Sequence, residues 1–125
     1  MPTFSNVHHL RLSVGDLARS TRWYRQVLGL EVAREVQGDH FERVILQFAG
    51  AVPVLGLTRH AANLGEPFSE QRPGIDHVAF SVASGRDLDI WSQHFEAAGV
   101  IHFRPRPDLV VFRDPDGIQL ELASA

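Results

Sequence analysis

The segments "VHHLRLSV" (7–14) and "IDHVAFSV" (75–82) superpose with His9 on His77, Arg11 on Ala79 and Ser13 on Ser81. Each opens a run that continues through the same order of patterns, so the chain is read as one unit written twice. Such a duplication restricts the fold more than composition does, because the same elements must recur in the same order. In the first copy Leu10, Leu12 and Val14 alternate in phase with His8, leaving His9, Arg11 and Ser13 on the opposite face of a strand. Asp16 stands where a helix N-cap belongs. Leu17, Tyr24 and Leu28, with Trp23 and Val27 beside them, recur at helical spacing up to Gly29, a C-terminal stop. Three strand-like runs follow at 30–36, 41–48 and 52–58, separated by turn signals.

Residues 60–74 are rich in Pro, Gly and polar side chains and read as a linker. The second copy then offers a strand at 75–82, Ser84 as N-cap with Asp87 three residues on, and Leu88, Trp91, Phe95 and Ala98 on a helix ending at Gly99. Strands are expected at 100–103, 109–113 and 118–123, the last two joined by the turn "DPDG". Trp23 and Trp91 are read as packing residues, and the arginines of "FRPRP", Arg104 and Arg106, as a solvated face. The predicted fold is α+β: two βαβββ modules, about 5–59 and 75–123, in a single domain spanning 1–125. Together they would form an open curved mixed sheet around a cavity.

With 125 residues the chain can bury a core without staples, and it has no cysteine, which excludes disulfides and thiolate chemistry. A net charge of -3 gives no basic surplus for nucleic acid, and no apolar run is long enough to span a membrane. The start has no basic segment leading into an apolar one, and a cytoplasmic location is expected.

Three candidate metal ligands stand at matching places: His9 and His77 on the first strands, and Glu121 on the last. Each lies on the face opposite the leucines, valines and phenylalanines that would pack against a helix. Two imidazoles and a carboxylate with open positions suit Fe or Mn, and Zn, Ni or Mg also use such donors. His8 and Asp76 point the other way. On the same face as His9, Arg11 and Ser13 are candidate substrate-binding residues, joined by Phe103 and Phe112 as candidate pocket walls. Arg11 could pair with a substrate anion, or with Glu121 or a neighbouring carboxylate.

In "HLRLSVGDLARSTRWYRQVLGLEV", "IDHVAFSV" and "FRDPDGIQLEL", nearly the whole chain resembles the vicinal oxygen chelate superfamily, which includes glyoxalase I, extradiol dioxygenases, fosfomycin resistance transferases and bleomycin-binding proteins. The resemblance implies paired βαβββ modules, a divalent metal on His9, His77 and Glu121, a small-molecule substrate bound through vicinal oxygens, and a homodimer. With no other base evident in the sequence, Glu121 or metal-bound hydroxide is the expected proton carrier. The fourth ligand usual in glyoxalase I falls at Gly56, which has no donor, so an ordinary glyoxalase I is not expected. The chain has no lysine to match the phosphonate-holding loops of the fosfomycin transferases. The alternative implied by the same resemblance is a protein that sequesters a small molecule or antibiotic, as the bleomycin-binding relatives do.

Overall fold

The computed structural model describes all of residues 1–125 and contains two helices and eight strands in the order βαβββ, βαβββ. The chain divides into two compact units, Met1–Glu66 and Pro67–Ala125. The division falls inside the expected linker.

The first unit comprises β1 (Leu10–Ser13), α1 (Leu17–Leu28), β2 (Glu31–Gln37), β3 (Phe41–Gln47) and β4 (Leu55–His60). Its sheet runs β1-β4-β3-β2, with β1 parallel to β4 and the remaining pairs antiparallel. The second unit comprises β5 (His77–Val82), α2 (Gly85–Ala98), β6 (His102–Arg106), β7 (Leu109–Arg113) and β8 (Gln119–Ser124). Its sheet runs β5-β8-β7-β6, again with the first and last strands parallel. The two orders are the same once the strands are matched, and the duplication read from the sequence is real at the level of topology. Even the irregularities recur, since β2 bulges between Val32 and Arg34 and β6 between Phe103 and Arg106.

Both helices are fixed by their ends. Asp16 accepts a hydrogen bond from Arg19 N at 2.9 Å, and Ser84 accepts one from Asp87 N at 3.2 Å. These side chains satisfy backbone donors that the first helical turn leaves free. Gly29 and Gly99 stop the helices in the left-handed region, with φ of 71° and 70°, where a side chain is disfavoured.

In the first unit Leu12, Leu46, Leu55 and Leu57 are buried with Tyr24 and Val27 of α1. In the second, Leu88 and Phe95 of α2 are buried with Val110, Phe112, Leu120 and Leu122. Strand alternation leaves the other face of each sheet for polar and functional side chains. The turn after β7 is held by Asp114, whose Oδ1 accepts from Asp116 N and Ile118 N, both at 2.9 Å. This is the tight turn that "DPDG" predicts, and it delivers β8 in register.

Three strands differ from expectation by three residues at one end, among them β6, which runs His102–Arg106 where 100–103 was expected. The first strand begins at Leu10 and not Val7, because β4 starts at Leu55 and offers residues 7–9 no partner. The run expected at 52–58 forms β4 at Leu55–His60 instead. Pro53 has no N–H to give, and the opposite end gains pairing with Phe41.

Candidate functional site

The second unit gathers one pair of expected ligands. His77 opens β5 and Glu121 lies in the parallel neighbour β8, where Gln119 is the direct partner of His77 and Glu121 that of Ala79. The offset brings His77 Nε2 to 3.5 Å from Glu121 Oε1. The other ring nitrogen, Nδ1, lies 2.7 Å from Asp76 Oδ1. A carboxylate on one nitrogen sets the tautomer and leaves the second free to bind, which is the arrangement common behind metal-ligating histidines. Asp76, expected as a hydrogen-bonding residue at the start of the strand and on its other face, therefore orients the imidazole.

Glu121 is held from its other side. Gln119 Nε2 donates to Glu121 Oε2 at 2.9 Å, Arg113 donates to Gln119 Oε1 at 3.3 Å, and Arg113 pairs with Glu70 at 2.8 Å. The carboxylate thus sits mostly buried at the end of a relay, its side chain 13% exposed against 40% for His77. Gln119 carried no signal of its own in the sequence except its place two residues before Glu121 on the same face.

Asp76 raises the His77 pKa above 6.5 by hydrogen bonding, with Glu121 adding its charge against the opposing effect of burial. In the first unit, the Arg11 guanidinium leads in lowering the His9 pKa, followed by burial, His8 and Arg43. Protonation of His77 therefore favours the fold, a contribution present below about 6.5 and lost as pH rises through the higher native value. His9 has the opposite sign, its contribution being lost as pH falls through a native value below the unfolded one. An NMR titration of metal-free protein should place the His77 midpoint above that of His9, and Asp76→Asn should bring His77 down. Coincident midpoints would refute the orientation by Asp76.

His9 lies just before β1, exposed, with its Nδ1 2.8 Å from His8 Nδ1. No three His, Asp or Glu side chains form a group able to hold an ion, so His77 and Glu121 are the gathered part of the expected set. Arg11 and Gly56 are direct partners across β1 and β4, as Ala79 and Glu121 are across β5 and β8. Where one unit has a small residue beside a long carboxylate, the other has a long cation beside a glycine. A Cβ at Gly56 would meet Arg11 Cδ at 2.3 Å, so Arg11 lies over the glycine backbone.

Ser13 is exposed on the Arg11 face, paired with Thr58. Phe103 pairs with Val111, itself the partner of Glu121, and is 60% exposed on that face. Phe112, expected as a pocket wall, belongs instead to the core: it is 1% exposed and packs on Phe95 with ring centroids 4.6 Å apart. Its strand position is one residue out of phase with the site face. Arg104 and Arg106 are exposed, as expected of a solvated face, and pair there with Asp89 and Asp108 respectively. A further cavity of about 1030 Å³ lies in the first unit between α1 and β2–β3, lined among others by Thr21, Arg25, Gln26, Glu35 and Gln37. No motif in the sequence marks it.

Residues 6–122 match the Glyoxalase/Bleomycin resistance protein/Dioxygenase superfamily. The chain belongs to that superfamily. It is similar to a glyoxylase/bleomycin resistance protein/dioxygenase domain from Frankia sp. EAN1pec, with 32% identity, a TM-score of 0.87 and coverage of 98% of this chain and 99% of that one. The uncharacterized protein YaeR of Escherichia coli (strain K12) is 30% identical, covering 93% of each chain. MhqA of Bacillus subtilis (strain 168), by its name a candidate ring-cleaving dioxygenase, is 24% identical over 96% of this chain, which spans 40% of its length. No helix here is long and apolar enough to cross a membrane.

Proposed function

We propose that the chain is a metal-dependent enzyme of the glyoxalase and dioxygenase type, acting on a small substrate through two vicinal oxygens. The observation that carries this reading is the approach of His77 Nε2 to Glu121 Oε1 with Nδ1 already engaged by Asp76. Imidazole nitrogen and carboxylate oxygen in that relation fit a divalent cation, and His9 is the third donor that the family resemblance assigns. Fe, Mn, Zn, Ni and Mg are the candidate ions. When bound, the ion supplies Lewis-acid polarisation of the substrate oxygens.

The protein's own residues carry the rest. Asp76 holds His77 in the tautomer that keeps Nε2 a lone-pair donor. Gln119 fixes one oxygen of Glu121 and leaves Oε1 to bind or to take a proton from the substrate carbon. Phe103 offers an apolar surface, and Ser13 and Arg11 are polar contacts. Gly56 supplies no fourth ligand, which separates this chain from an ordinary glyoxalase I. The sequestration alternative draws on room above Gly56, but Arg11 lies over that glycine. A cytoplasmic homodimer is the proposed setting.

The test is metal content after purification without added metal, alongside Glu121→Gln. Wild type should retain about one ion per site, and the variant, which loses the anionic ligand, well under half of that. Equal content in both proteins would overturn the site.

A further inference from the structure

We propose that the site face of the first unit is an oxyanion receptor built on Arg11, with Arg34 and Arg43, that recognises a carboxylate or phosphoryl group of a small ligand. Reading that group as part of the substrate rests on the function proposed above; the binding itself does not. The sheet register sets the geometry. Arg11, Gly56, Ile45 and Arg34 form one row across β1, β4, β3 and β2. Ser13, Thr58, Arg43 and Val36 form the next row on the same face. Three cations from three strands therefore share one side of the sheet.

The glycine gives the face its shape. Because Arg11 lies over Gly56, its guanidinium rests above β4, the strand next to the β3 that carries Arg43. With any side chain at position 56, Arg11 would have to stand away from the sheet.

These cations are not neutralised. Arg104, Arg106 and Arg113 of the second unit each pair with a carboxylate. In contrast, Arg11 donates only to Leu10 O at 3.3 Å, and Arg43 donates through Nε to Thr58 Oγ1 at 2.7 Å while its guanidinium stacks over Phe41 at 4.6 Å. Arg34 has no side-chain partner. Three like charges on one side of the sheet repel one another, so the fold holds the cluster together against its own repulsion. An anion would relieve that repulsion. Guanidinium groups suit planar or tetrahedral oxyanions because they donate two parallel hydrogen bonds. The face also has a hydroxyl at Thr58, already fixed by Arg43, and another at Ser13.

The experiment is calorimetric titration of metal-free protein at low ionic strength with inorganic phosphate and, separately, succinate. Wild type should bind at least one of them saturably. Arg11→Met should weaken that binding by about tenfold or more, the loss expected for a charge-assisted hydrogen bond. Gly56→Ala should weaken it too by displacing Arg11, and Arg34→Met serves as an independent variant at an exposed position. Arg86→Met, on α2 of the other unit, should have no effect. Preference for phosphate or for succinate names the phosphoryl or the carboxylate source. The proposal is overturned if wild type binds neither probe, if Arg11→Met and Gly56→Ala bind as wild type does, or if Arg86→Met weakens binding as much as Arg11→Met. His77→Ala should bind the anion normally, so a failed metal site and a failed anion site give different results.

Discussion

A His77→Ala variant should bind divalent metal at least about 100-fold more weakly than wild type, since removal of a second-shell partner alone costs up to that factor. The loss has two sources. The imidazole donor disappears, and Glu121, mostly buried and held by Gln119, loses the neighbour it faces. His77→Gln keeps a polar group but replaces a nitrogen lone pair by an amide, and it should recover little. Asp76→Asn separates ligand from orienting residue: it retains Nε2, so it should bind metal with an intermediate loss of about tenfold. Competition with a chelating dye on dialysed protein measures all three. Wild-type affinity in His77→Ala would remove His77 from the metal site, and a loss in Asp76→Asn as large as in His77→Ala would mean that Asp76 does more than orient.

The second large effect is on stability. Phe95→Ala should destabilise the protein by about 3–5 kcal/mol, the range for deleting a buried aromatic side chain. Phe95 is fully buried and touches Phe112, Trp91 and His102, with ring centroids 4.6, 5.5 and 5.5 Å away. It joins α2 to β7 and β6. Denaturant unfolding followed by tryptophan fluorescence checks the figure, with Ile90→Ala as comparison. Ile90 is 56% exposed on the same helix and should change little. A loss below about 1 kcal/mol for Phe95→Ala would mean that the α2 core repacks freely.

How much of this was legible in the sequence follows from which interactions are local. The helices ran as expected because their stops are set within a few residues by Asp16, Ser84, Gly29 and Gly99. Strand ends were read less well, since the start of β1 and the placement of β4 depend on partners far along the chain. Alternation put His77 and Glu121 on one face of the second sheet, and register then joined them, whereas His9 lies outside β1. Phe112, a candidate pocket wall, is one residue out of phase with the site face, its neighbour Val111 being the residue opposite Glu121. The cover of Arg11 over Gly56 could not be read, because no pattern in one strand says how a long side chain will lie on the next. The repeat did hold the clue that position 56 is the counterpart of Glu121.

The parallel pairing of first and last strands also determines when the proposed metal-binding pair can exist. Within the second unit, α2 and the hairpin of β6, β7 and β8 can form from neighbouring segments. The joining of β5 to β8, by contrast, closes a loop of about forty residues. His77 and Glu121 therefore meet at the entropically most demanding step of the unit's assembly. An ion held between them would act as a latch on that last closure, lengthening the lifetime of the folded unit while leaving its rate of formation nearly unchanged.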